Sequence, residues 1–170
     1  MTLTKDAAYG ALLGNDFIRG LSPDQAHAFY ECGKVVKAVS GTVFIIEGTF
    51  NKNLYLVLGG ELEVYLPDNE NRFSKLVLAK RKPGHYVGEY SFLDASLASA
   101  SVRTTRESVL FQVSHTAVEQ LFNADPDIGR MIYRNLLVNL VGRLRESDQE
   151  LDLIQPVPRM LNSGLESDEF

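Results

Sequence analysis

Between residues 34 and 113 the chain is cut into short strand-like runs by turn signals, and this pattern limits the fold more than any other feature. In KVVKAVSGTVFIIEG two β-branched runs flank Ser40-Gly41, and in LYLVLGGELEVYL two more flank Gly59-Gly60, the dipeptide of a tight hairpin. Asp68-Asn69-Glu70-Asn71 forms a polar turn into FSKLVLAK, Pro83-Gly84 punctuates the next approach, and SASVRT and SVLFQVS are separated by Thr105-Arg106-Glu107. The alternation of Leu62, Val64 and Leu66 with Glu61, Glu63 and Tyr65 predicts one buried and one wet face. About eight short strands spaced in this way predict antiparallel sheets rather than a parallel sheet with crossover helices.

From residue 114 the period becomes helical. His115 to Phe122 reads as a short helix ended by Asn123-Ala124-Asp125-Pro126, and a long helix follows to about Leu151, with Asp125 as N-cap and Pro126 at the first position. Its apolar residues form more than one stripe. Ile132, Leu136 and Leu140 lie four apart, while Leu137, Val141, Leu144 and Leu151 follow heptad spacing with Asp148 in the missing slot. Docking on one core needs a stripe of only ~100°, so the second stripe points to a partner helix and a homodimer, with a groove of the same domain as the alternative. At the other end, Ser22-Pro23-Asp24 opens a capped short helix that offers Ala26, Phe29 and Tyr30 to a core. Residues 1–16 read as an N-terminal lead. The tail 152–170, with two prolines and an acidic end, reads as loop or disorder, with Met160 and Leu161 as a small docking contact.

Composition narrows the function. A chain of 170 residues, 45% hydrophobic and 23% charged, suits one globular domain with an added helix or tail. A net charge of −5 without a Lys/Arg cluster argues against nucleic-acid binding. Cys32 stands alone and reads as a buried spare thiol. No signal peptide or spanning segment is apparent, which predicts a cytoplasmic protein without membrane insertion. His27, His85 and His115 are scattered, His85 in a turn, and no metal-ligand spacing, Ser-His-Asp set or P-loop occurs, so neither a metal nor catalysis is expected.

Three segments carry a resemblance: EGTFNKNLYLVLGGELEVY with Gly48 and Gly60, PGHYVGEYSFLD, and RLRESDQEL. In this order and at these separations the chain resembles the cyclic nucleotide-binding domain family over roughly residues 17 to 151. The resemblance implies a mainly β fold with flanking helices: an antiparallel β-roll (a double-stranded β-helix or jelly roll) of about eight strands over residues 34–113, then a long helix over about 126–151. It also implies a phosphate-binding cassette in GHYVGEYSFLDASLASASV. There Val87, Gly88, Glu89 and Tyr90 form the first lip and Ala98, Ser99 and Ala100 the second. Glu89 would accept from a ribose hydroxyl, and Ser99 would meet the phosphate through its amide. Ser147 and Asp148, near the end of the long helix, match positions that reach the nucleobase. Tyr90, Phe92 and Leu93 are read as helix residues that seat the cassette on the roll, Val102 as core.

A buried cyclic phosphate must be desolvated, and backbone amides at a helix start are ready donors for it. Gly88 lets the backbone turn and come close. Where family members that bind well carry Pro-Arg, this chain has Leu97-Ala98. A charge-assisted Arg bond contributes roughly 1.5–3 kcal/mol, and Arg103 and Arg106 are misplaced to supply it. Only 19 residues follow Leu151, too few for the DNA-binding domain that family regulators append. Two readings therefore stand: a sensor module that binds cyclic AMP, cyclic GMP or another small anion, weakened by the missing Arg and signalling through the C-terminal helix, or a degenerate module serving protein–protein assembly.

Overall fold

The computed structural model describes residues 4–67 and 75–154, with the side chains of 150–154 outside the description. The Asp68–Asn71 turn, the docking side chain of Leu151 and the 155–170 part of the tail therefore lie outside the described residues. Helices α1 (Lys5–Leu13) and α2 (Pro23–Glu31) precede strands β1 (Lys34–Ala38), β2 (Val43–Ile45), β3 (Asn53–Gly59), β4 (Leu62–Pro67), β5 (Lys75–Arg81) and β6 (Tyr86–Val87). Helix α3 (Glu89–Asp94), strands β7 (Ser101–Thr104) and β8 (Ser108–Ser114), and helices α4 (His115–Ala124) and α5 (Pro126–Ile154) complete the order. The strands form two four-stranded sheets, β1-β8-β3-β6 and β2-β7-β4-β5, with antiparallel pairing throughout. This is a β-roll with helices on both sides in sequence.

Strand β3 shows how one sequence serves two cores. Leu54, Leu56 and Leu58 point to a layer of helices, while Tyr55 and Val57 point between the sheets. The helical layer packs Phe17 against Tyr86 at 5.1 Å and Phe29 against Phe111 at 5.6 Å, each such pair adding roughly 0.5–1.5 kcal/mol beyond burial. Ala26 and Phe29 of α2 are buried, and Ser22 and Gln25 close a reciprocal capping box at its start. Asp125 caps α5 by accepting from the amides of Asp127 and Ile128 at 3.0 and 3.4 Å.

Three expectations need correction. Gly59-Gly60 is not a hairpin: β3 and β4 belong to different sheets, and the chain crosses between them. Gly60 is required because its φ of 90° is left-handed and a Cβ there would collide with Ser108 at the start of β8. Glu63 is not wet. It is 7% exposed, bonded to Lys75 and to Arg103 Nε, because the opposed strands bring two cations over it. The reading of residues 1–16 as a lead is filled in rather than changed by α1, whose Ala8 and Leu12 are buried in the helical core. Cys32 is only half-buried, its thiol donating to the Ala28 carbonyl, and burial raises its pKa.

The chain divides into two compact units, Met1–Leu137 and Val138–Phe170. Within the first, Ile128, Ile132 and Leu136 of α5 are buried, and Asn135 Nδ2 donates to the carbonyls of Phe17 and Arg19 at 3.1 and 2.8 Å. In the second, α5 continues with Val138, Val141 and Leu144 exposed. No described helix is long and apolar enough to cross a membrane.

Candidate ligand-binding cassette

Strand β6 delivers the chain to Gly88, whose left-handed backbone (φ 93°, ψ 4°) turns it into α3. Only glycine suits this point. A Cβ would collide with the Asn53 carbonyl and lie 2.8 Å from Asn51 Nδ2, in a region L-residues avoid. The N-cap of α3 is Gly88 itself, which has no side chain to bond the helix's first amides. Val87 and Glu89 are buried beside them, at 5% and 4% exposure.

The turn is braced from beneath. Asn51 Nδ2 donates to the carbonyls of Asn53 (2.7 Å) and Gly88 (3.4 Å), while the Asn53 amide donates to Asn51 Oδ1. The His115 ring stands edge-on to Phe92 at 5.3 Å and lies against the carbonyls of Asn53 and Gly88. Burial pulls its pKa down, and those carbonyls and Glu119 push the other way. The sequence marked His115 only as a helix start and did not mark Asn51. The pairing of Asn53 with Ser114 in the β3–β8 register is what brings both under the cassette, and no local signal could show it.

Of the three residues read as seating α3, one does so. Phe92 meets His115, Phe122 and Tyr133, whereas Tyr90 and Leu93 are 46% and 41% exposed. A helix this short turns one narrow face to the roll, and Phe92 and the buried Ser91 occupy it.

The second lip is built differently. Ala98 donates its amide to the Thr49 carbonyl at 2.9 Å and accepts from the Gly48 amide at 2.8 Å. Its methyl group joins the core between the sheets with Ile45, Tyr55, Val57, Val87 and Val102, and Ala100 is likewise buried. Ser99 between them is exposed. Arg103 is committed to Glu63 and lies 5.1 Å from the Tyr65 ring, and Arg106 Nη2 donates to the Gly60 carbonyl. Neither Arg stands in for the cation missing at Ala98. Of the remaining site candidates, Ser147 and Asp148 are exposed residues of the second unit, and Leu137 ends the first at 63% exposure.

The family model described as cyclic nucleotide-binding domain matches residues 35–125, just over half of the chain. The chain belongs to the cyclic nucleotide-binding domain family. Within it, the chain is 30% identical to the Pycsar effector protein XpPycTIR of Xanthomonas perforans over 65% of its length and 35% of that protein's. It is 27% identical to the cyclic AMP receptor protein of Thermus thermophilus, over 83% of its own length and 62% of the relative's. The chain thus spans about a third and under two thirds of these two relatives. A cyclic nucleotide-binding domain from Methylobacillus flagellatus shares the fold at a TM-score of 0.75 and 22% identity, covering 88% of this chain and 83% of that one.

Proposed function

We propose that the chain is a non-catalytic regulatory module whose cassette takes a cyclic nucleotide, at reduced affinity, or another small monoanion, and relays occupancy through α5. The observation that supports this most is the Gly88 turn: a backbone that only glycine fits there leads straight into the start of α3, with Glu89 buried beside it, which is the arrangement an anion-binding turn requires. In this reading the amides after Gly88 and that of Ser99 hold the anion, Glu89 accepts from a ribose hydroxyl, and Ser147 and Asp148 reach the base. Relatives named as a cyclic AMP receptor protein and a Pycsar effector agree with a signalling role. Exposed Leu137, Val141 and Leu144 suit a two-fold dimer through α5 of a cytoplasmic protein, with no nucleic-acid partner.

Ala98 supports a second reading, an assembly adaptor that binds an unidentified protein and no nucleotide, because a desolvated phosphate without its cation loses roughly 2–5 kcal/mol. Calorimetry with cyclic AMP, cyclic GMP and cyclic dinucleotides separates the two. Saturable binding that weakens in Ser147→Ala and Asp148→Ala variants is expected from the sensor; no heat from any of these ligands leaves the adaptor. Light scattering checks the dimer, with Leu144→Asp expected to give a folded monomer.

A further inference from the structure

Asn51 and His115 converge on one peptide of the cassette, the unit joining Gly88 to Glu89. In a trans peptide the Gly88 carbonyl and the Glu89 N–H point in opposite directions, so whatever fixes one aims the other. The carbonyl accepts from Asn51 Nδ2 at 3.4 Å. The His115 ring lies against the same carbonyl and that of Asn53, yet its Nε2 is buried without a hydrogen-bond partner. Buried nitrogens are rarely left in this state, and an unpaired one beside two carbonyls is placed to become a donor. With glycine on its N-terminal side, this peptide can rotate as a unit more freely than any other in the turn.

We propose that Asn51 and His115 are positioning residues that hold the Gly88–Glu89 peptide with its carbonyl inward, so that the Glu89 N–H is presented to a bound anion. When His115 is neutral with its proton on Nδ1, the tautomer that leaves Nε2 unpaired, Asn51 carries this alone. When His115 is protonated, Nε2–H can donate to the Gly88 carbonyl, and a carbonyl so polarised strengthens the donor across the same peptide. The charged groups on the elements around the ring are Glu119 on α4, Glu89 and Asp94 on α3, and Lys52 ahead of β3, whose carbonyl accepts from the His115 amide. Anion binding should therefore tighten as pH falls below the ordinary histidine value, the reverse of what loss of a merely structural contact would give.

The inference rests on the reading of the cassette as an anion site, but the peptide's orientation can be read without a ligand. In the ligand-free protein, the ¹⁵N shift of the Glu89 amide should follow the titration of the His115 ring, and Asn51→Ala should shift or double the amide resonances of Gly88 and Glu89. With cyclic AMP and cyclic GMP as probes, calorimetry at about pH 5.5 and about pH 8 should show binding at least about threefold tighter at the lower pH. His115→Gln, which keeps a donor but cannot titrate, should bind with no pH dependence. His115→Leu should bind weakly at both pH values, and Asn51→Ala about tenfold more weakly than the parent. Should His115→Leu fail to fold, His115→Gln and Asn51→Ala carry the test. If neither nucleotide binds the parent while the Glu89 amide still follows His115, the ligand reading fails and the positioning role stands. A Glu89 amide indifferent to the His115 titration, or parental affinity in both His115→Leu and Asn51→Ala, overturns the proposal.

Discussion

The Gly88 lip of the cassette is braced by side-chain hydrogen bonding, with Asn51 bonded to it and His115 packed beneath it, whereas the Ala98 lip is held by main-chain bonds to Gly48 and Thr49 and by the packing of its own methyl group. The first lip is tied to the strand register and to α4 by these contacts. The second keeps its backbone path but has no cation to place on it. On the proposed anion-binding reading, the cassette keeps its backbone geometry without its main source of affinity, because backbone position and charge come from different residues.

The largest effect should come from breaking the first lip. Gly88→Ala forces an L-residue into a left-handed turn against the Asn53 carbonyl, and we expect a loss of about 2–4 kcal/mol in urea unfolding together with loss of any ligand response. Supplying the second lip with its cation should come next. Ala98→Arg is expected to strengthen cyclic-nucleotide binding at least about tenfold, about 1.4 kcal/mol, and to make nucleotide raise the Tm of the variant more than that of the parent. Normal folding with no gain for either cyclic AMP or cyclic GMP would mean that the core packing around Ala98 closes the pocket.

Removing the brace without touching either lip is a smaller change. Asn51→Ala deletes two donated bonds and one accepted bond, only partly buried, and should cost about 1 kcal/mol in the same unfolding assay. The smallest effect belongs to pH. The folded-state pKa of His115 is lowered, chiefly by burial, so the unfolded chain binds the proton more readily. Stability from this group is complete above about pH 6.5 and is lost as pH falls through the folded value, by less than about 1.4 kcal/mol per pH unit for one proton. His115→Gln should flatten that part of the Tm-against-pH curve; an unchanged slope would assign it to other groups.

The roll was legible because its signals are local. Two-residue alternation, glycine and proline at the turns, the Asp125-Pro126 cap and the change of period near residue 114 each report on a few neighbouring residues. Phe92 could be named as a cassette helix residue, but Tyr90 and Leu93 could not be sorted from it, since which face of a one-turn helix is covered depends on what lies opposite.

The sequence by itself determined the short strands of the roll and the starts of α2, α4 and α5, which follow from backbone preferences along the chain, while its family resemblance marked the glycine at position 88 and the missing cation at position 98. Only the tertiary structure decided that Gly59-Gly60 crosses between sheets, that Glu63 is buried between two cations, and that Asn51 and His115, 64 positions apart, support the same peptide. The physical reason is register: an antiparallel ladder joins residues distant in sequence, and their neighbourhood exists only once β3 has paired with β8.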